Sequence, residues 1–398
     1  MVSLITDSYT SGEKCMPALW WSAFLLGSAN HALTAPQLSP QAFDWEALIA
    51  TARSQHLASL LYWRLRALPL AVQPPATVME RLRPIYTTEA VNSLLHIHEL
   101  RTVLSALNQV GIHPTLFKGA ALAHTVYPVP VCRPMGDLDL WLTAAEMPTA
   151  QAVIESLGYT QKPKATRPLV LQKQQDGEVQ LLGHPPRQGL IELHWGVFAG
   201  AWLQHVAEID RDAVFQRRVP VEILGAPVYV LSNEDAVIQL AIHLGINHQL
   251  SLHPLRSLVD IAFLDQQGVD WEMVVERACA WRLVTVVGAI LALLVNIFGA
   301  ENLTPGVSKA AAALSHSRLR RLLTDHWVNP AVVLNQQQIR ASRHRFFYLL
   351  SMTDHLNDVL KLLTHTLWPG NGWLTLRYGQ VNWSVRLRHL TAALSGDI

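Results

Sequence analysis

Between Glu89 and Val110 the apolar positions Leu94, Leu95, Leu100, Val103, Leu104 and Leu107 recur near helical spacing, which predicts an amphipathic helix ended by Gly111. Beyond it the period changes. HPTLFKGAALAHTVY reads as a short strand running into a helix at Lys118-Gly119, MGDLDLWL as a strand, and AEMPTAQAVIESLG as a helix closed by Gly158. Further short strands are predicted at Leu169–Lys173, Val179–Leu182, Leu190–Trp195 and Val228–Leu231. From Ser232 the helical pattern returns, opened by Ser232-Asn233-Glu234-Asp235, a Ser three residues ahead of an acid as in a capping box. FDWEALIATARSQHLASLLYWRL (Phe43–Leu65) and VDWEMVVERACAWRLVTVVGAIL (Val269–Leu291) share Asp-Trp-Glu, an Ala and a Leu at equal offsets. Asp44 and Asp270 suit helix N-caps, and Glu46 and Glu272 fall in the first turn where the dipole favours negative charge. One such echo is too little for a solenoid and reads as a helix start used twice. The pattern predicts an α+β, predominantly helical chain: an N-terminal helical region over residues 1–88, a small mixed-sheet core over 89–231, and a C-terminal helical domain over 232–398.

Composition narrows this picture. At 398 residues the chain exceeds what one core usually organises, and a half-apolar sequence with 15% charged residues and 13 Trp is densely globular. The net charge of +1 conceals a basic end, since residues 301–398 hold 11 Lys and Arg against 5 Asp and Glu. Cys15, Cys132 and Cys279 are odd in number and far apart, which suits a reducing compartment; the cytoplasm is the expected location. PALWWSAFLLGSAN, from Pro17, follows Asp7, Glu13 and Lys14 and lacks the positive lead of a secretion signal, so it is expected to be a first core helix. The 18 uncharged residues from Leu283 to Ala300 touch the lower edge of spanning length. Asn296 interrupts them and no interfacial anchors flank both ends, so a central buried helix and no integral membrane association are expected.

Candidate chemistry concentrates in RPMGDLDLWL, Arg133–Leu142. A strand repeats every two residues, so Asp137 and Asp139 project from one face. Like charges a few ångströms apart cost about 1 kcal/mol in water and about 4 kcal/mol near a protein surface, so the pair wants a cation or a proton. Magnesium fits that need, and such pairs can clamp metals for in-line displacement at phosphorus. The plainer alternative has Asp137 in a Gly-Asp turn and Asp139 paired with Arg133 on an exposed edge. Upstream, Lys118-Gly119 begins a helix where a glycine lets backbone amides approach phosphate, and Lys118 and Arg133 supply positive charge.

LFKGAALA, YPVPVCRPMGDLDLWL and IELHWGVF, in that order, resemble the uncharacterised bacterial nucleotidyltransferase-like proteins of the polymerase-beta superfamily. The Lys-Gly-Ala start is also similar to the Lys-Gly-Gly loop of nucleotidyltransferase toxins. The helical SNEDAVIQLAIHLGINH, LRSLVDIAFL and VDWEMVVERA segments extend the likeness over most of the chain. The resemblance implies a nucleotidyltransferase core in which Asp137 and Asp139 hold a catalytic metal, Gly119 forms the nucleotide loop, and a third acid on a neighbouring strand joins the metal or acts as base. Glu192 is the candidate third acid, because alternation along Leu190–Trp195 places it with His194; the alternative is a strand-edge pair with Arg187. The expected catalytic set is therefore Asp137, Asp139, Glu192 and His194, with Asp137, Asp139 and Glu192 on the metal. Lys118, Gly119, Ala120, Arg133 and Gly136 are expected at the nucleotide. Magnesium, or alternatively manganese, is the implied cofactor, and a nucleoside triphosphate and a hydroxyl acceptor (small molecule, sugar, peptide or RNA) are the implied substrates. The superfamily's usual Gly-Ser is Gly119-Ala120 here, which keeps open an inactive binding or scaffold protein on the same fold; Gly27-Ser28 supplies the dipeptide but no acid pair follows it.

Other constellations are weaker. His243, His248 and His253 recur at intervals of five, and five α-helical residues rotate about 500°, so they are expected on different faces as structural histidines, with His243 lining a cleft as the alternative should its helix cover the active site. Arg256 and Asp260 at i, i+4 are expected to pair within a helix. The arginines near Arg318 and Arg343 are expected on a solvated helix face, with RNA or a membrane surface reached through Trp368 and Trp373 as alternatives.

Overall fold

The computed structural model describes residues 44–68, 73–162, 177–185, 189–315, 324–334 and 342–395. The expected helix from Pro17, the strand at Leu169–Lys173, Gly27-Ser28, Arg187 and the arginines near Arg318 lie outside the described residues. In chain order the first helices are α1 (Trp45–Ser54), α2 (Ala58–Arg66), α3 (Ala76–Gln109), α4 (Lys118–Thr125), α5 (Met147–Ser156), α6 (Ala201–Val206) and α7 (Arg211–Gln216). There follow α8 (Asn233–Ile242), α9 (Pro254–Gln266), α10 (Trp271–Ala280), α11 (Val284–Phe298), α12 (Pro305–Ala313), α13 (Pro330–Leu334), α14 (Ser342–Ser351), α15 (Leu356–Leu367), α16 (Asn371–Tyr378) and α17 (Trp383–Ser395). The strands are β1 (Thr115–Leu116), β2 (Asp137–Trp141), β3 (Tyr159–Gln161), β4 (Glu178–Gly183), β5 (Leu190–His194), β6 (Val219–Ile223) and β7 (Ala226–Val230). The chain is α+β and predominantly helical, as the periodicity predicts.

The strands form one seven-stranded mixed sheet in the order β3-β4-β5-β2-β1-β7-β6. β2 runs parallel to β5 and antiparallel to β1, and β1 runs parallel to β7. β6 was not legible, because its Pro220 and Glu222 are exposed edge residues; it joins β7 through Leu224 and Gly225, both at positive φ as a tight two-residue hairpin requires. One sheet face buries Leu138, Leu140 and Leu142 against Leu100, Val103, Leu104 and Leu107 of α3 and Ala150 and Ile154 of α5.

Helix α3 begins at Ala76 rather than Glu89 and carries Pro84 inside it. Leu94 and Leu95 are exposed, unlike the expected stripe. At 100° per residue they fall away from Leu100 and Leu104, and Ser93 and Glu99 take the inward positions.

Asp44, Asp270 and Ser232 cap their helices, accepting from the amides of Ala47, Met273 and Asp235. The Asp-Trp-Glu echo extends further than a shared start. Each copy breaks at one residue of positive φ, His56 and Arg282, and the next amide returns to Ala52 O and Ala278 O at 2.8 Å, a Schellman closure in both. Phe43–Leu65 and Val269–Leu291 thus each span a helix pair, α1–α2 and α10–α11. Helix α11 is the apolar run: it lies in the larger core, and its first amides, Val284 and Thr285, donate to Asp354 at 2.8 Å each. No helix among the described residues is long and apolar enough to cross a membrane.

Candidate active site

The parallel register of β2 on β5 sets Asp139 beside Glu192 and Trp141 beside His194. Strand alternation sends Leu138 and Leu140 to the core and leaves Asp137, Asp139, Glu192 and His194 on the other face. Glu178 on β4 lies opposite His194 in the antiparallel register. Asp139 Oδ1 accepts from Lys118 Nζ at 2.8 Å and lies 3.0 Å from His194 Nε2. His194 also lies 3.5 Å from Glu192 through Nε2 and 3.5 Å from Glu178 through Nδ1. Gln180 Nε2 donates to Glu192 Oε1 at 2.6 Å. The Asp139–Arg133 alternative does not hold, since Asp139 is buried on Lys118 and His194. Glu192 lies on an interior strand and faces His194, and its alternative partner Arg187 lies outside the described residues.

Burial opposes charge at every one of these groups, and the partners decide where each settles. Asp137 has no hydrogen-bond or ion-pair partner among the described residues; burial, then Asp139 and Glu192, push its carboxyl up to about 6. Against the same burial, Lys118 and His194 hold Asp139 well below the usual carboxylate range. Against burial again, hydrogen bonds to Asp139 and Glu192 raise His194 to about 9, so it carries a proton at neutral pH. Lys118 is likewise held charged by Asp139 and Glu192. Two cations therefore stand against a cluster of buried acids. Ligand atoms of Asp139, Glu192 and His194 all lie within 4.8 Å of one another, so they could hold a metal ion.

These groups line a cavity of about 380 Å³ together with Gly119, Gly136, Arg133 and, from the helices beyond the sheet, Gln239, His243, His248, Arg256 and Asp260. Gly119 sits in the first turn of α4, where a Cβ would come within 2.9 Å of Met135 Cγ; a side chain there would collide with the cavity wall. Ala120 is fully buried in the core behind the sheet and does not line the cavity, so its missing hydroxyl is not missing from the site.

Two sequence expectations give way here. His243 and His248 are not on separate faces, because His243–Asn247 form a π-helical turn in which residues five apart align; their Nε2 atoms lie 2.8 Å apart. Burial foremost lowers both, His248 to about 4 and His243 also well below its ordinary value, so both are neutral. Asp260 does not pair with Arg256. It receives Arg133 Nε and Nη2 at 2.7 and 2.8 Å and Tyr127 Oη at 2.7 Å, while Arg133 Nη1 donates to Pro134 O at 3.0 Å. Arg133's fork is thus committed to anchoring α9 on the loop before β2. His243 lines the cavity, as the alternative for its helix allowed, while Glu178, His248 and Arg256 escaped sequence reading as cavity residues.

A family profile described as "Uncharacterised nucleotidyltransferase" matches residues 41–299, a span holding every residue of this cavity. The chain belongs to that nucleotidyltransferase family. No curated protein and no solved structure matches it. Nucleotidyl transfer is the family's chemistry, and a nucleoside triphosphate is the substrate it implies. Within this nucleotidyltransferase family frame, the Lys118-Gly119 helix start and the Asp137/Asp139 strand share one cavity, the juxtaposition a nucleotide site needs.

Proposed function

We propose that the chain transfers a nucleoside monophosphate from a nucleoside triphosphate to a hydroxyl acceptor, with magnesium (or manganese) as cofactor and pyrophosphate as the other product. The carrying observation is the adjacency of Asp137, Asp139 and Glu192 on parallel neighbouring strands, facing the cavity that Lys118 and Gly119 enter. Asp137, Asp139 and Glu192 would hold the metal; ligand oxygens of Asp139 and Glu192 lie within 4.8 Å of each other, and such hard oxygens suit a divalent ion. Bound there, a divalent ion neutralises triphosphate charge and polarises the α-phosphorus.

The chain's own groups do the rest. Gly119 leaves room for phosphate at the start of α4, and Lys118, its charge maintained by Asp139 and Glu192 against burial, provides the cation there. His194 is protonated and so cannot accept a second proton; it orients Asp139 and Glu192. Glu192 is left to take the acceptor's proton as the acceptor oxygen bonds to the α-phosphorus. The bond from that phosphorus to the bridging oxygen breaks, and its electron pair leaves with pyrophosphate. The acceptor, whether small molecule, sugar, peptide or RNA end, and a cytoplasmic location complete the proposal. Incubating the protein with labelled nucleoside triphosphates, magnesium and host extract tests it. Pyrophosphate release abolished by Asp137→Ala supports transfer, whereas nucleotide binding with no release from any triphosphate supports an inactive binding or scaffold role.

A further inference from the structure

Among the described residues, Arg256 is the cation in this cavity that the fold leaves uncommitted. It stands on the first turn of α9, faces the same cavity as Asp137 and Gly136, and is shielded enough that its Nε has no solvent contact and no hydrogen-bond partner. Its single partner among the described residues is Pro134 O, 3.3 Å from Nη1. The acid one turn along the helix, Asp260, is taken by Arg133 and Tyr127. Arg133 therefore holds the nearby carboxylate, and Arg256, with only Asp137 of the same cavity as a further acid acting on it, keeps unfilled donors. Burial, then repulsion from Arg133, lowers Arg256 to about 10, the signature of a guanidinium short of anionic contacts. Such an arrangement is costly unless something negative arrives.

We infer that Arg256 is the binding residue for the terminal diphosphate of the nucleotide, the portion that departs as pyrophosphate. This rests on the transferase reading for its biological meaning. Arg256 lines the same cavity as Asp137, Asp139 and Glu192, so a triphosphate whose α-phosphorus sits at the carboxylates can offer its β- and γ-phosphates to the open guanidinium. A planar fork matches phosphate oxygens in pairs, which Lys118 beside the carboxylates cannot do. The same site would favour triphosphates over monophosphates, since a monophosphate has no terminal diphosphate to place on it.

The test titrates inorganic pyrophosphate, and separately a nucleoside monophosphate, into the wild type, Arg256→Met and Arg256→Lys in magnesium buffer, with thermal unfolding of each. Arg256→Met should lose about 10- to 100-fold in pyrophosphate affinity while monophosphate affinity stays the same. Arg256→Lys should recover part of the loss. Asp260 keeps Arg133 and Tyr127 in every variant, so folding should persist and Arg256→Met should unfold no earlier than wild type. A structural arginine would give the reverse: earlier unfolding with unchanged pyrophosphate affinity, which overturns the inference. So would equal losses for both ligands, or a wild type that does not bind pyrophosphate. If no triphosphate is turned over yet pyrophosphate binding depends on Arg256, the transferase reading fails and this assignment stands.

Discussion

Among the described residues Asp137 faces the cavity without a partner, whereas Asp139, two residues on, accepts from Lys118 and His194. The two should therefore respond oppositely to neutralisation. Asp137 sits at about 6 in the fold against 3.8 unfolded, so folding favours its protonated form. Its contribution is fully present below about 3.8 and is lost as pH rises through 6; at pH 7.5 the ionised group opposes folding by on the order of 2–3 kcal/mol. Asp137→Asn in metal-free buffer should raise the unfolding temperature at pH 7.5, and the gain should shrink toward pH 5. Asp139→Asn removes the charge from between two buried cations and should cost about 3–5 kcal/mol at pH 7.5. Both should lower pyrophosphate release by about 100-fold or more. Calorimetry of the two variants checks this, and destabilisation of Asp137→Asn would show a partner that the geometry does not contain. At this scale much was legible, because period two alone puts Asp137 with Asp139 and Glu192 with His194. Arg256 was not: helical spacing joins it to Asp260, and nothing local announces that Arg133, 127 residues away in sequence, takes that acid.

Among the elements, the caps were readable since a cap is chemistry between residues three apart, as at Asp44, Ser232 and Asp270. The π turn was not, for its cause is packing. Gly245 lies so close to α11 that a Cβ would sit 2.7 Å from Val286 Cγ2, and Val286 is a β-branched residue on a buried helix with little freedom to move. Gly245→Ala should cost about 1–3 kcal/mol and separate His243 from His248. Pairing it with Val286→Ala restores the space, so the double variant should unfold later than additivity of the two single losses predicts. Urea denaturation of the four proteins decides it; strict additivity would mean the glycine is there for another reason. Strand β3 has only three residues, and β6 alternates Val219, Val221 and Ile223 but interrupts them with Pro220, which has no amide hydrogen for a ladder; only their partners β4 and β7 define them.

Across the whole molecule, histidines of opposite character set the pH range. His56 and His253 stack at 4.1 Å where α1–α2 meets α9, and His243 and His248 meet at the π turn. Burial foremost depresses all four, His56 and His248 to about 4. Their unfolded forms take up protons near 6.5 that the folded protein refuses, so the stability they contribute is present above 6.5 and lost as pH falls toward 4. His194 runs the other way. Raised to about 9, it contributes in full below 6.5, and the contribution is lost as pH rises through 9. The metal-free protein should therefore be most stable near neutrality, with an acid limb owed to the neutral histidines and an alkaline limb owed to His194. Unfolding temperature measured from pH 4.5 to 9.5 in chelator separates them by variant. His248→Gln keeps a polar partner for His243 but has no proton to gain, so it should flatten the acid limb, by about 2 kcal/mol at pH 5, and leave the alkaline limb unchanged. His194→Gln should do the converse, unfolding earlier than wild type at pH 6.5 and converging with it above pH 9. An acid limb equally steep in His248→Gln would assign it to carboxylates instead, and the neutral pair at the π turn would lose its part in holding the helices over the cavity.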